Sequence, residues 1–403
     1  MLNTIQIKQE SEINKINFYF ENSLSMNGYL KGENFRQSMA EIIYNFKGDS
    51  VHNYFVNTKA HKTDSMLDKI RKGNISVGNT GNSDHRFIFT NAIKNAAGNN
   101  LSIVVTDGIY SMSSGGLTLG DVEKDIENSF ENALKQNELE TVVLKMASNF
   151  TGRYYSESCP VKGGIKIDQQ RPYYILLFGN KGVIDKALEE IVVIEDLNGY
   201  KEQARFLITK DLKVNYTVLT KGEEKAGDYR AKGYSKLFNV KKIEGAQKLS
   251  KNNLLLKDRY LQFGIAVDYS NLSISSNYLI DSSNYSVQNN TGYKVVEIKT
   301  FEELPKNNNT YKWIQGLNEK GNMNYSHIIV MNAKSKLYGD LKVNLEMNFP
   351  SWIAKTGSDN DCEMKNDITT TFAFDRLMKG ISKAYEEVSS SEKFFELKIN
   401  IKP

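Results

Sequence analysis

Residues 18–32, FYFENSLSMNGYLKG, carry the reading of the fold. An apolar, aromatic run breaks off at Glu21 and passes through Ser23 and Ser25 into Asn and Gly. The apolar part, KINFYFEN, has no polar alternation, which is how a strand buried on both faces reads. ENFRQSMAEIIYNF follows, with Phe35, Met39, Ile42, Ile43 and Phe46 at the spacing of a core-facing helical stripe. A buried strand, a polar turn and an amphipathic helix are the opening of an α/β sheet.

The pattern repeats outward from this point. VHNYFVN reads as a strand and KTDSMLDKIRKG as a short helix. A polar loop then runs from Ser76 to Asp84, before the helix FIFTNAIKNAAG. LSIVVTDGIYS is a second wholly apolar strand, ending in Asp107-Gly108, and GDVEKDIENSFENALKQN is an amphipathic helix with Asp121 placed as its N-cap. ETVVLKMASNF and RPYYILLFGN are strands, and KGVIDKALEEI is a helix. Regular strand–helix order predicts a doubly wound, mostly parallel, Rossmann-like sheet over residues 1–199. After Gly199 the segments turn β-rich, with only TTFAFDRLMKGISKAYEEV as a long helix. Residues 200–403 are therefore expected to form a sandwich-like accessory domain closed by that helix and a last strand. A chain of 403 residues suits two domains, since single cores seldom grow beyond about 250–300 residues.

Composition excludes several classes. The net charge of +4 is small for this length and the charges are interspersed, so no nucleic-acid surface is implied. The N-terminal residues lack a leader's apolar stretch, and no apolar run has the roughly 18–20 residues of a membrane span. Cys159 and Cys362 fit neither a zinc site nor a disulfide framework, and read as reduced thiols in a cytoplasmic protein. The Lys/Asn/Ile-rich composition suggests a bacterial source.

In open α/β sheets ligands sit outside the carboxyl ends of strands. Glu21, Ser23 and Ser25 after the first strand fall there, as do Thr106, Asp107 and Gly108 after a central one, with the hydroxyl-rich loop SVGNTGNSDH between them. FYFENSLSMNGY resembles the first metal-site motif of von Willebrand factor A domains, Asp-x-Ser-x-Ser, and SIVVTDGIYS resembles their Thr-Asp-Gly strand end. The resemblance covers roughly residues 15–195. It implies Mg²⁺ or a similar divalent cation held by Ser23, Ser25 and Asp107, with Thr80 or Ser83 as the loop hydroxyl. It also implies protein partners docking at the top of the sheet, one of them supplying an acidic side chain to the ion. Glu21 stands where the family has Asp, and its extra methylene moves the carboxylate by about 1.5 Å against Mg²⁺ distances of about 2.0–2.1 Å. Glu21 is therefore a sixth ligand candidate that binds the ion weakly or through water, or else holds the loop by accepting hydrogen bonds from Ser25 or backbone N–H groups.

Each motif also has a structural reading: serines after strands cap helices, and Asp-Gly is a turn dipeptide. There is no G-x-S-x-G elbow and no phosphate loop. His85, the histidine nearest the site, reads as a polar loop residue, and SSGG at Ser113–Gly116 as a flexible loop. Arg153, Tyr155 and Arg171 combine residue types common at interface hot spots, which makes them candidate partner contacts. Asp359, Asp361 and Glu363, beside Trp352, read as an exposed acidic loop without EF-hand spacing. The expectation is a non-enzymatic interaction component of a multiprotein complex, such as a defence or secretion system. The rival is a metal-dependent hydrolase or phosphoryl-transfer enzyme using the same strand-end acids.

Overall fold

The computed structural model describes residues 12–46, 50–112, 118–209, 214–238, 240, 261–270, 272, 274–288, 292–321, 323–334 and 337–403. The expectations for the N-terminal residues before 12 and for Ser113–Gly116 lie outside them. Along the first part of the chain run β1 (Lys15–Glu21), α1 (Glu33–Tyr44), β2 (Val51–Val56), β3 (Ala60–Lys62), α2 (Met66–Lys72), α3 (His85–Asn95) and β4 (Asn100–Thr106). α4 (Leu119–Leu134), β5 (Glu140–Tyr154), β6 (Ile165–Gly179), α5 (Lys181–Glu190) and β7 (Tyr200–Phe206) follow. Next come β8 (Asn215–Val218), β9 (Arg230–Lys232), β10 (Lys236–Phe238), β11 (Leu261–Asp268), α6 (Ser276–Ile280), β12 (Tyr285–Gln288), β13 (Tyr293–Thr300), α7 (Asn309–Gly321), β14 (His327–Ala333) and β15 (Gly339–Glu346). The chain closes with α8 (Ser351–Thr356), β16 (Gly357–Ser358), β17 (Thr371–Phe372), α9 (Phe374–Ser389) and β18 (Lys393–Ile401). Among the described residues no helix is long and apolar enough to cross a membrane.

The described residues up to Ile208, together with Phe349–Ser390, make one compact unit; Thr209–Asn348 with Ser391–Pro403 make the other. The first unit is mixed α/β around a seven-stranded sheet in the order β3-β2-β1-β4-β6-β5-β7. β1 pairs in parallel with both β2 and β4, where helices make the crossovers. Parallel pairing stops there. β3 on β2, β6 on β4, β5 on β6 and β7 on β5 are antiparallel. β5 and β6 are consecutive 15-residue strands joined by a hairpin loop, with no helix to carry the chain back, so the expected parallel order is confined to β2-β1-β4.

Both faces of this sheet are covered. Side chains alternate along a strand: Phe20 meets Phe35 of α1 edge-on, while the Tyr19 hydroxyl on the opposite face accepts from Asn95 of α3. On β6, Tyr173 packs on Phe35, and Phe178 packs on Phe89 of α3 and Phe130 of α4. α4 begins with a capping box in which Thr118, not Asp121, is the N-cap; Asp121 returns the bond from the third helical position.

Two boundaries differ from expectation. β7 extends the first sheet by pairing with β5, which moves the division past residue 199. α9, expected in the second domain, belongs to the first unit. Leu377, Met378, Ile381, Ala384 and Tyr385 are fully buried in its core, and the Tyr385 hydroxyl lies 2.9 Å from that of Thr141. Gly380 permits the close crossing of α4, because a Cβ there would stand 2.5 Å from the Glu123 carbonyl oxygen. The acidic stretch is likewise not wholly exposed: Asp361 is buried, while Asp359 pairs with Arg376 at 2.9 Å.

The second unit holds a five-stranded sheet, β12-β15-β18-β10-β9, and a four-stranded one, β13-β14-β11-β8. Tyr269, just past β11, packs on Phe395 of β18. α7, which was not expected, lays Ile314 against Leu219, Ala266, Ile328 and Val330.

Candidate functional site

Register places the two motifs side by side. Phe20 of β1 is opposite Val105 of β4, so Glu21 and Thr106 end adjacent parallel strands. The chain after β1 tightens into a 3₁₀ turn (Met26–Lys31). Ser25 stands at its N-cap but makes no side-chain capping bond; its hydroxyl donates to the Asp107 carboxylate at 2.5 Å. Ser23 lies 3.0 Å from Ser25 and accepts from the Met26 N–H at 3.3 Å, so the capping role falls to Ser23. The Leu24 N–H donates to the Thr80 carbonyl at 2.9 Å, which brings the 76–84 loop over the serines.

Glu21, Ser23, Ser25, Thr80 and Ser83 line one cavity of about 110 Å³. Asp107 is buried next to two of its lining residues, accepting from the Ser25 hydroxyl and from the Ile109 N–H at 3.1 Å. All six expected ligand candidates therefore gather at one sheet edge. The three expected contact residues do not form one surface. Arg153 is exposed and donates to the Gly163 carbonyl, and Tyr155 is half-buried at the cavity. Arg171 is 1% exposed, with its guanidinium over the rings of Tyr154 and Phe150. It is a core residue, because β6 is covered on both faces.

His85 is no loop residue. As the first residue of α3, whose N-cap Asp84 accepts from the Phe87 N–H, it is turned inward and buried. Its Nε2 stands 3.2 Å from the Thr106 hydroxyl and 3.6 Å from Glu21. Thr106 donates in turn to Glu21. The longer carboxylate of Glu21 thus borders the cavity while one oxygen is engaged by Thr106 and His85.

Charge is distributed unevenly over this cluster. Burial opposes ionisation of Glu21, but the facing His85 and the hydrogen bonds to it outweigh burial and hold the carboxyl below its usual value. Ser83 assists from a position short of hydrogen-bond geometry. Burial also works against a charged His85, and Glu21 reverses this, raising the imidazole's pKa. Asp107, buried and facing the charge on Glu21, is pushed up to about 7. One carboxylate is therefore paired, and the other is held protonated up to near neutrality.

Ser111, and Glu157 from the loop joining β5 to β6, also border the cavity, and sequence reasoning did not single them out. Glu157 accepts from the Met112 N–H at 2.9 Å. Its loop is fixed by Asp361, whose carboxylate accepts from the Tyr154 hydroxyl at 2.7 Å, the Ser156 hydroxyl at 2.8 Å and the Glu157 and Ser158 N–H groups at 3.0 and 2.9 Å. Cys159 and Cys362, expected as free thiols, form a disulfide beside it. Nothing in their spacing of 203 residues points to the pair; the fold of α8–α9 over β5–β6 brings them together.

Donor chemistry limits what the cavity can hold. Among the described residues no three His, Cys, Asp or Glu side chains form a metal-ligating group. A cation here would depend on hydroxyl oxygens and one or two carboxylates, a set suited to a hard ion that keeps some of its water. Ser83 supports that fit: its hydroxyl is buried beside the cavity and has no hydrogen-bond partner among the described residues. Comparison with protein-family models, with curated proteins and with solved structures finds no match to this chain.

Proposed function

We propose that the first unit is a von Willebrand factor A-like recognition domain with a variant cation site, serving without catalysis as an assembly component of a multiprotein complex, such as a bacterial defence or secretion system. The observation that carries this reading is the Ser23–Ser25–Asp107 hydrogen-bonded chain at the carboxyl ends of neighbouring parallel strands. The strand order β3-β2-β1-β4 and the converging 76–84 loop lend support. Ser23, Ser25, Thr80 and Ser83 are the hydroxyl ligands of this reading, with Asp107 as the carboxylate. Glu21 holds the floor of the site through Thr106 and His85. Mg²⁺ or a similar ion would supply a positive centre able to accept a partner's carboxylate.

The test is thermal melting in EDTA and then in saturating Mg²⁺, Mn²⁺ or Ca²⁺. An ion bound only by the folded chain raises the midpoint. The expected result is a rise in the parent protein that is absent in Asp107→Ala and Ser23→Ala. The same midpoint with EDTA and with every ion would remove the cation site and leave a scaffold.

A further inference from the structure

We infer that Glu157 is a ligand of the same cation site, presented by the β5–β6 loop as an arm fixed in place by Asp361. This rests on the cation reading above and adds a residue from a fourth segment of the chain. Three segments already meet at the cavity: the turn after β1, the 76–84 loop and the segment that follows β4. Glu157 lines the same space as Ser23, Ser25 and Ser83. The buried Ser83 hydroxyl, 6% exposed, lines that space beside Glu21 and makes no hydrogen bond among the described residues, which leaves its oxygen free to face a ligand there.

The arm is preorganised. Four hydrogen bonds to the Asp361 carboxylate fix residues 154–158, and the Cys159–Cys362 disulfide anchors the next residue of the loop. Little ordering entropy is then left to lose when an ion binds. Glu157 accepts from the Met112 N–H and is also hydrogen-bonded by the Ser111 side chain, so it links the segment after Asp107 to the cavity. Because no three acids converge, Glu157 would share the ion with serine hydroxyls and retained waters, as a hard cation accepts.

A purely structural role for Glu157, pinning Ser111 and Met112, predicts a different outcome from ligation, and Glu157→Gln, whose amide can still bond both, separates the two. The amide oxygen can still accept from the Met112 N–H, but the charge is gone. Midpoints are measured for the full chain in EDTA and across a Mn²⁺ and a Mg²⁺ titration, beside Glu138→Gln, an exposed control. The expected result is an unchanged midpoint in EDTA and an ion affinity weakened at least about tenfold in Glu157→Gln alone. Equal affinities for Glu157→Gln and the parent would overturn the assignment and leave the cation reading standing. If the parent itself fails to respond to either ion, both fall.

Discussion

The Ser25 hydroxyl donates to Asp107 at 2.5 Å, bridging 82 residues of sequence and closing the gap between the ends of β1 and β4. The pair is possible because parallel register sets Phe20 opposite Val105, so the polar residues just beyond each strand share one edge. A buried carboxyl held by a single hydroxyl and one N–H is under-compensated, and this gives the site a pH dependence.

In the unfolded chain Asp107 titrates near 3.8, whereas in the folded chain burial and the charge of Glu21 raise it to about 7. Between those values the folded state binds more protons, so stability falls as pH rises. His85, raised chiefly by Glu21 against burial, acts in the same sense: its contribution is present below about 6.5 and lost as pH passes its folded value. Glu21 acts oppositely, losing its contribution only as pH drops below the usual carboxyl range. Urea unfolding in EDTA should therefore show stability declining from pH 5 to 8. Asp107→Asn should flatten the slope below pH 7 and gain on the order of a few kcal/mol at pH 8. Parallel pH profiles for the two proteins would refute this account of Asp107.

Asp361 is the acceptor for two hydroxyls and two N–H groups around the β5–β6 loop. Truncation removes the common partner of all four. Asp361→Ala should cost about 2–5 kcal/mol in unfolding free energy, since buried donors left unpaired each carry a penalty of about 1–3 kcal/mol. Asp361→Asn, which still accepts through one oxygen, should cost less. Equal stability of Asp361→Ala and the parent by urea unfolding would show that solvent replaces the carboxylate.

The disulfide closes a loop of 203 residues. Cross-linking so distant a pair restricts the unfolded chain, and about 2–4 kcal/mol is the usual scale. Because Asp361 already pins the same loop, the double variant Cys159→Ser/Cys362→Ser should retain the fold and melt at the midpoint of the parent in dithiothreitol. Thiol titration of the denatured, unreduced parent should find no free cysteine. Two titratable thiols would rule the bond out.

Continuous apolar runs and helical stripes make β1, α1, β4 and α4 legible in the residues themselves. Strand direction is another matter. Periodicity reports which faces are buried and is silent on which way a strand runs, so β5–β6 reads as two more parallel strands. The stripe of α9 likewise shows that Leu377, Ile381 and Tyr385 are buried without showing which sheet they cover. α7 escapes notice because its apolar residues, Tyr311, Trp313, Ile314 and Leu317, are interspersed with Asn, Gln, Gly and Lys. At the site, Glu21, Ser23, Ser25 and Asp107 stand in local motifs, but Glu157, Asp361 and the cysteine pair are joined only by tertiary contact.

Gly108 links the site to α9. It takes φ +70°, in the left-handed region that favours glycine, and a Cβ there would lie 2.8 Å from the ring of Phe374 and 2.9 Å from that of Tyr174. Those two rings stack at 3.7 Å, fixing the start of α9 over β6. Gly108→Ala therefore adds backbone strain of about 1–3 kcal/mol and forces apart an aromatic pair worth about 0.5–1.5 kcal/mol beyond its buried area. Urea unfolding should show a loss of at least the first amount. Relieving the steric part should restore only some of it: Gly108→Ala combined with Phe374→Leu should be less destabilised than the sum of the two single variants. Strict additivity would mean that the Phe374 ring does not constrain the turn, leaving the positive φ and the Tyr174 ring as the reasons for glycine at this strand end.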